Sequence, residues 1–342
     1  MKTSDKAPEQ DFFSGKSLRA RYPPRVDPVA FFERSSVVVV AGKGGVGKST
    51  VSAAIAVAAA SCGLRVLAVE LEGRGELPRA LGLDGPLTWD ERDALAEPSG
   101  GSVTARRIRP DDALVEWLQA HALGPVVRRL RTSGALEVVA FAIPGIREVL
   151  VLGKLKALER TGSFDLLVVD APATGHAITL LTSPAGLTGV ARGGPVRRNA
   201  EEVAEMLGDP ARCRVVLVTL PRELAVDETI EAAYEVEDRA GVKLSEVVVN
   251  QYVAPDAALD EPLDTIDAAS LTQQIAAAVE AARAFESARQ RAAAAEVDRL
   301  AAALPLRQLT LPRLEVDRIG LAETRTLADA LLTQLRQVEV AP

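Results

Sequence analysis

The chain has few cysteines, no excess of basic residues and no long apolar run. Its 342 residues include only two cysteines, Cys62 and Cys213, which lie far apart in the sequence. A disulfide framework and a C-x-x-C metal pair are therefore both excluded. The formal net charge of −7 gives no electrostatic footprint for nucleic acid, although local basic patches are compatible with it. We expect no nucleic-acid partner.

The sequence also lacks the apolar segments that membranes require. No uninterrupted apolar stretch reaches the ~20 residues of a membrane-spanning helix. Residues 1–24 are polar and charged, without the apolar core of a signal peptide. We therefore expect a cytoplasmic protein with no stable membrane insertion. The hydrophobic content of 48% is sufficient for a substantial core.

What the sequence does contain is a glycine-rich loop between an apolar run and an alanine-rich segment. The loop reads Gly42-Lys43-Gly44-Gly45-Val46-Gly47-Lys48-Ser49 and is followed by Thr50. Such a G-x-x-x-x-G-K-[ST] loop between a strand and a helix cradles phosphates with its backbone N–H groups and the helix N-terminus. We expect Lys48 to reach the β- and γ-phosphates of ATP, and the Ser49 hydroxyl to ligate Mg²⁺.

Apolar, β-branched runs alternate with helical patterns along the chain. The runs lie at 36–41, 65–71, 166–170, 214–220, 246–250 and 307–311, with a weaker one at 103–108. Continuous hydrophobic strands separated by helices predict an α/β fold, in which helices cover both faces of a mostly parallel sheet.

The same patterns predict the domain organisation. Residues 1–34 form an N-terminal extension, and residues 35–342 form a single P-loop ATPase domain. Helical patterns at about 111–162 and 185–210 predict an inserted helical subdomain. The Ala-, Glu-, Arg- and Gln-rich tract 267–303 predicts one long helix or a helical pair.

Lys43, directly after the first glycine of the loop, resembles the extra lysine of deviant Walker A ATPases. That class includes the ParA and MinD partitioning ATPases, the nitrogenase iron protein and the ArsA/GET3 ATPases. In these proteins the lysine reaches across a dimer interface to the nucleotide of the partner. The resemblance therefore implies a dimer that sandwiches two nucleotides.

Further segments resemble the ArsA/GET3 family in their order and spacing. They are Val103–Pro110, Ile143-Pro144-Gly145-Ile146 with Glu148, Asp170-Ala171-Pro172-Ala173-Thr174-Gly175-His176, Pro221-x-Glu223-Leu224 with Glu228-Thr229, residues 247–251, and Leu311-Pro312 with Gly320. The resemblance implies that Asp170 holds Mg²⁺ through a water and begins a switch II loop. It also implies that Asn250 reads the adenine and that the loop at Pro312 closes over the base. The activity implied is ATP hydrolysis coupled to dimer conformation and to a client.

The chain departs from this family at switch I. There the family carries an aspartate in a D-P-A-H context, which positions the attacking water. Here Glu72 falls on the aspartate and Gly73 on the proline, while Glu70 is expected to have a structural role. The extra methylene of glutamate moves the carboxylate by about 1.5 Å, and a misplacement of that order can lower a rate by ~10²-fold. If Glu72 is the catalytic carboxylate, we therefore expect either slow hydrolysis or a different loop geometry enabled by Gly73.

Features of the family's client and metal sites are missing. The only methionines are Met1 and Met206, so the methionine-lined client groove of GET3 is not reproduced. Neither GET3's zinc-binding C-x-x-C pair nor the clustered thiolates of ArsA are present. A protein or membrane-protein client is implied only by the resemblance. Two alternatives stay open: a weakly hydrolysing regulatory subunit paired with an ArsA-like paralogue in a heterodimer, or a ParA/MinD-like positioning ATPase.

Metalloids should not stimulate this protein. Binding arsenite or antimonite requires several nearby thiolates, and two distant cysteines cannot supply them. Steady-state ATP hydrolysis should stay flat as arsenite or antimonite is added. Strong stimulation that disappears in Cys62→Ser or Cys213→Ser would contradict this expectation.

Overall fold

The computed structural model describes residues 27–73, 75–120, 145–190, 193–261 and 273–336. In chain order its elements are α1 (Pro28–Phe32), β1 (Val37–Gly42), α2 (Lys48–Ser61), β2 (Arg65–Glu70), α3 (Glu76–Ala80), β3 (Arg92–Ala96), β4 (Ser102–Arg107), α4 (Pro110–Ala120), α5 (Ile146–Thr161), β5 (Leu166–Ala173), α6 (Thr174–Val190), α7 (Pro195–Gly208), β6 (Cys213–Thr219), α8 (Glu223–Glu235), β7 (Leu244–Tyr252), α9 (Gln273–Ala303), β8 (Gln308–Pro312) and α10 (Leu321–Arg336). A short π-helix follows α8, and a 3₁₀ turn follows β7.

The strands form one eight-stranded sheet in the order β3-β4-β2-β5-β1-β6-β7-β8. All neighbouring pairs are parallel except β3 and β4, which are antiparallel. The α/β fold with a mostly parallel sheet is confirmed, and every predicted apolar run corresponds to a strand. The edge strand β3 was not predicted, because its sequence Arg-Asp-Ala-Leu-Ala is largely exposed and carries no apolar run.

Helices cover both faces of the sheet because alternate residues of each strand point to opposite sides. Val37 and Val39 of β1 pack with α5 to α9 in one core layer. Val40 of the same strand packs with α1, α2, α3 and α10 in the other. The α2 residues from Ala53 to Ala60 are all buried, so this helix is fixed along most of its length.

The described part of the predicted helical subdomain contains α4, α5, α7 and the C-terminal end of α6. Helices α4 and α5 share a small core of Ala113, Leu114, Leu118, Ile146 and Leu150. Residues 121–144 of the predicted subdomain lie outside the described residues. Within the described ranges, no helix combines the length and the apolar composition needed to cross a membrane.

The ends of the chain extend this picture. The predicted N-terminal extension includes α1, whose Phe32 is buried against the main core, while residues 1–26 lie outside the described residues. The tract predicted as one long helix or a helical pair contains the single helix α9 from Gln273 onward.

Candidate functional site

The glycine-rich loop connects the carboxyl end of β1 to the first turn of α2. Gly47 has φ 91°, in the left-handed region that glycine adopts without steric penalty. A Cβ atom on Gly47 would lie 2.3 Å from Asn250 Nδ2, and one on Gly42 would lie 2.4 Å from the carbonyl oxygen of Val218. The tight turn between strand and helix therefore depends on glycine at both positions.

Asn250, near the end of β7, braces this loop. Its Nδ2 donates a hydrogen bond to the carbonyl oxygen of Val46 at 2.9 Å, and its Oδ1 accepts one from the Gln251 N–H at 3.0 Å. Asn250 is only 4% exposed. The Nδ2 bond holds the glycine loop, a role that the family resemblance did not imply, while the Oδ1 bond fixes the amide against its own strand. Recognition of adenine by Asn250 stays a prediction.

The first turn of α2 places Lys48 and Ser49 beside Asp170 of the neighbouring strand β5. Lys48 Nζ donates to the carbonyl oxygen of Lys43 at 3.2 Å, across the glycine loop. Ser49 Oγ donates to Asp170 Oδ2 at 2.7 Å, and Ser52 Oγ donates to Asp170 Oδ1 at 3.3 Å. Because the carboxyl ends of adjacent parallel strands meet at one edge of the sheet, the pairing of β1 with β5 creates this contact.

Asp170 is a buried carboxylate whose anionic form is disfavoured. Burial raises the pKa of Asp170 to about 6, and the Ser49 hydrogen bond, the Lys48 charge and the Ser52 hydrogen bond oppose that rise only in part. A cation placed beside this carboxylate would restore its ordinary ionisation.

The oxygens of Ser49 and Asp170 fit Mg²⁺, which was predicted at these residues. Mg²⁺ prefers hard oxygen donors and is usually held by one or two protein groups together with nucleotide phosphates. In the part of the chain that the structure describes, no cluster of three or more His, Cys, Asp or Glu side chains could hold a metal ion by itself. The donor set therefore suits an ion shared with a nucleotide better than a metal bound by protein alone.

A cavity of about 230 Å³ opens between the glycine loop, β2 and α3. Its lining includes the loop residues Gly45, Gly47, Lys48, Ser49 and Thr50, the carboxylates Glu70, Glu72, Glu76 and Asp170, and Arg79. The structure thus brings the predicted residues Glu72 and Asp170 to the same cavity as the phosphate loop.

Glu70 lies in this cavity as well, although only a structural role was predicted for it. It is 3% exposed. Burial raises the pKa of Glu70, while the Gly75 N–H and the charge of Arg107 lower it to a smaller extent. Sequence reasoning also missed Ser52, Glu76 and Arg79. For Ser52 a signal existed, because it lies one helical turn after Ser49; the other two belong to a short helix without a motif.

Lys43 is not among the residues that line the phosphate cavity. Its Nζ instead forms an ion pair with Glu228 Oε1 on α8 at 2.6 Å, and 55% of the lysine side chain is exposed. Glu228 belongs to one of the segments that resemble the ArsA/GET3 family. The predicted contact of Lys43 with a partner's nucleotide would require this ion pair to open.

Pro312 ends β8 and pairs with Tyr252 of β7. A second cavity, of about 470 Å³, lies at the ends of β6, β7 and β8. Gln251 and Arg313 line this cavity, whereas Asn250 and Pro312 do not. Asn250 and Pro312 therefore lie next in the chain to residues that line this cavity, and base binding by either of them stays a prediction.

Comparison with known proteins agrees with this geometry. Residues 37–291 match the family described as the CobQ/CobB/MinD/ParA nucleotide binding domain. The matched region runs from the first residue of β1 into α9, so it contains the glycine loop, Glu72, Asp170 and Asn250.

Individual relatives point in the same direction. The chain is 35% identical over 222 residues to the ATPase BagA of Mycobacterium tuberculosis, which covers 63% of this chain and 64% of that protein. It is 27% identical over 245 residues to a Halobacterium salinarum protein whose name describes a putative arsenical pump-driving ATPase. This match covers 66% of this chain and 36% of that protein. It is 30% identical over 148 residues to the ATPase get3 of Schizosaccharomyces japonicus, covering 43% of each. Each match spans less than two thirds of the relative's own length.

Replacement of Asp170 by Asn should stabilise the nucleotide-free protein, and more at pH 8 than at pH 5. Because its pKa is about 6 in the fold against 3.8 ordinarily, the native state binds the proton more tightly than the unfolded chain. Stability is therefore lost as the pH rises through 6. Asn carries no charge, and its Oδ1 can accept from one serine hydroxyl while its Nδ2 donates to the oxygen of the other, so the gain at pH 8 should be on the order of 1–3 kcal/mol.

Urea unfolding in EDTA at both pH values measures this effect. Asp165→Asn is the matched control. The hydrogen bond from Arg65 lowers the pKa of Asp165, so this substitution should decrease the stability of the protein where Asp170→Asn increases it. An Asp170→Asn gain that is equal at pH 5 and pH 8 would contradict the burial argument.

Proposed function

We propose, from the premise that this chain belongs to the CobQ/CobB/MinD/ParA family of nucleotide-binding domains and is ArsA/GET3-like, that it is a cytoplasmic, Mg²⁺-dependent ATPase. It would hydrolyse ATP to ADP and phosphate. The observation that carries the proposal is the convergence of Lys48, Ser49 and Asp170 at one end of the phosphate cavity, with Glu72 on its wall.

The chemistry is phosphoryl transfer to water, in which the protein mainly positions groups and stabilises charge. Lys48 and the backbone of the glycine loop would bind the β- and γ-phosphates. Ser49 and Asp170 would hold Mg²⁺, which supplies charge neutralisation when bound. Glu72 is the candidate general base, because a carboxylate within reach of the γ-phosphate can orient a water and accept its proton.

Nucleotide binding would be coupled to the conformation of a dimer. Lys43 supports this proposal because it lies outside its own phosphate cavity and is half exposed in its ion pair with Glu228. If Lys43 left Glu228 and bound the phosphates of the nucleotide on a second copy, each nucleotide of the dimer would be contacted by the lysine of the other subunit. The partner would be a second copy of this chain or an ArsA-like paralogue, and the coupled client is a protein or membrane protein that neither the sequence nor the cavities identify.

A weakly hydrolysing regulatory subunit is the second candidate. Beside Glu72 and Asp170, Glu70 and Glu76 also line the phosphate cavity, and their negative charges would oppose binding of the anionic nucleotide. Glu72 in place of that aspartate favours the same interpretation. A ParA/MinD-like positioning role is an alternative that no observed contact favours.

Loss of the Lys43 side chain should separate nucleotide binding from hydrolysis. If Lys43 acts across a dimer, Lys43→Ala should keep ATP affinity within a few-fold but lose hydrolysis and nucleotide-induced dimerisation. Lys48→Ala should weaken ATP binding itself, because it removes a charge-assisted contact to the phosphates. Calorimetry, sedimentation velocity and phosphate release measure the three quantities.

The matched control is Lys243→Ala, which removes another exposed lysine paired with a glutamate, Glu237, at 3.5 Å. It should behave as the wild type. An unchanged ATPase rate in Lys43→Ala would refute the trans-acting role.

Loss of the Glu72 charge should slow the chemical step. Glu72→Gln should bind ATP normally and lower turnover by at least ~10²-fold, equivalent to roughly 2.7 kcal/mol of transition-state stabilisation. Glu70→Gln is the comparison in the same cavity and should lower turnover much less. Glu72→Asp tests whether the longer side chain misplaces the carboxylate. If it does, the aspartate variant should hydrolyse ATP faster than the wild type. Single-turnover hydrolysis measured beside ATP affinity distinguishes these outcomes, and a low wild-type rate unaffected by all three changes would favour the regulatory subunit.

A further inference from the structure

The turn that carries Glu72 rests on the side chain of an arginine from the next strand. Arg107, the last residue of β4, pairs in register with Glu70, the last residue of β2. A Cβ atom on Gly73 would lie 2.2 Å from Cζ and 2.7 Å from Nε of Arg107. The guanidinium group therefore lies directly against the backbone of Gly73, one residue after Glu72.

This contact requires glycine for space and not for backbone conformation. The φ angle of Gly73 is not in the left-handed region, so alanine would meet no backbone strain there. The three atoms nearest to such a Cβ, namely Cζ, Nη1 and Nε of Arg107, all belong to the guanidinium group. A residue with a Cβ, including the proline that the family carries at this place, would have to displace it.

The positive charge of the same guanidinium group acts on Glu70, one of the carboxylates that line the phosphate cavity. Glu70 is buried, and its Oε2 has no hydrogen-bond partner among the described residues; the same is true of Arg107 Nε. The charge of Arg107 and the N–H of Gly75 both favour the ionised form of Glu70. Glu70 and Gly75 thus connect the two ends of the turn, and Arg107 supports its middle.

We propose that Arg107 is a positioning residue for the switch turn between β2 and α3, and that its contact with Gly73 sets the location of the Glu72 carboxylate. The proposal rests on the proposed function, since it assigns Glu72 to hydrolysis. It gives a physical account of the Glu72-Gly73 pair. A longer carboxylate at position 72 is combined with a backbone that packs directly against an arginine, and a proline at position 73 would displace the end of that arginine side chain.

The test compares Arg107→Ala, Gly73→Ala and the double variant in the full chain. Each single change should lower kcat ~10–100-fold while KM and ATP affinity stay within about 3-fold, because the phosphate loop is untouched. Gly73→Ala acts by displacing the guanidinium group, so the double variant should be no slower than the slower single variant. Arg107→Lys, which keeps the charge, should lose less than Arg107→Ala. The matched control is Arg109→Ala, an exposed arginine that is 3.7 Å from Asp111 and should have the wild-type kcat.

A second readout does not depend on hydrolysis. Hydrogen exchange of the backbone amides between β2 and α3, in the nucleotide-free protein, should be at least several-fold faster in Arg107→Ala and Gly73→Ala than in the wild type. Unchanged exchange, or fully additive losses in the double variant, would overturn the positioning role. Faster exchange in a protein that binds ATP but does not hydrolyse it would uphold the positioning of the turn and refute the proposed ATPase activity instead.

Discussion

The hydrogen bond between Ser49 and Asp170 is the constraint on which the site depends. It connects the first turn of α2 to the end of β5, and it exists only because β5 lies between β1 and β2 in the sheet. Helix α2 cannot move away from this contact, since its middle residues are buried in the core. The carboxylate remains buried with a pKa of about 6, so the fold keeps an anion where it is unfavourable without a cation. A buried anion that needs a nearby cation is what we expect of a site that binds a metal–nucleotide complex.

Much of the fold could be predicted from the sequence because the strands are buried on both faces. Their continuous apolar runs are visible without knowledge of their neighbours, whereas the exposed edge strand Arg92–Ala96 has no such signal. Lys48, Ser49 and Asp170 could be predicted because they belong to motifs. For Ser52 the only signal was its place one helical turn after Ser49, and Arg107 had none, since their contacts join elements that are distant in the chain. The brace from Asn250 to the glycine loop depends on tertiary structure in the same way.

The departure from the ArsA/GET3 pattern at switch I has a structural counterpart. Gly73 lies against Arg107, and Arg107 lies beside the buried Glu70. Glu72 thus precedes a residue that packs against Arg107, and Arg107 pairs in register with Glu70. In the proposed ATPase this packing would keep the longer carboxylate of Glu72 in a catalytic position, whereas in the regulatory subunit it would hold the turn in a less active arrangement. The proposed ATPase and the regulatory subunit differ in this respect alone, since both require the same phosphate loop and the same metal ligands.

The most direct test of this account is a single-turnover experiment, in which excess protein binds radiolabelled ATP with Mg²⁺ or with EDTA and the release of phosphate is followed. We predict conversion of the bound ATP to ADP and phosphate with Mg²⁺ only. Asp170→Asn should abolish this conversion while ATP still binds. ATP that stays bound and intact in excess Mg²⁺, or hydrolysis that does not depend on Asp170, would contradict the central claim.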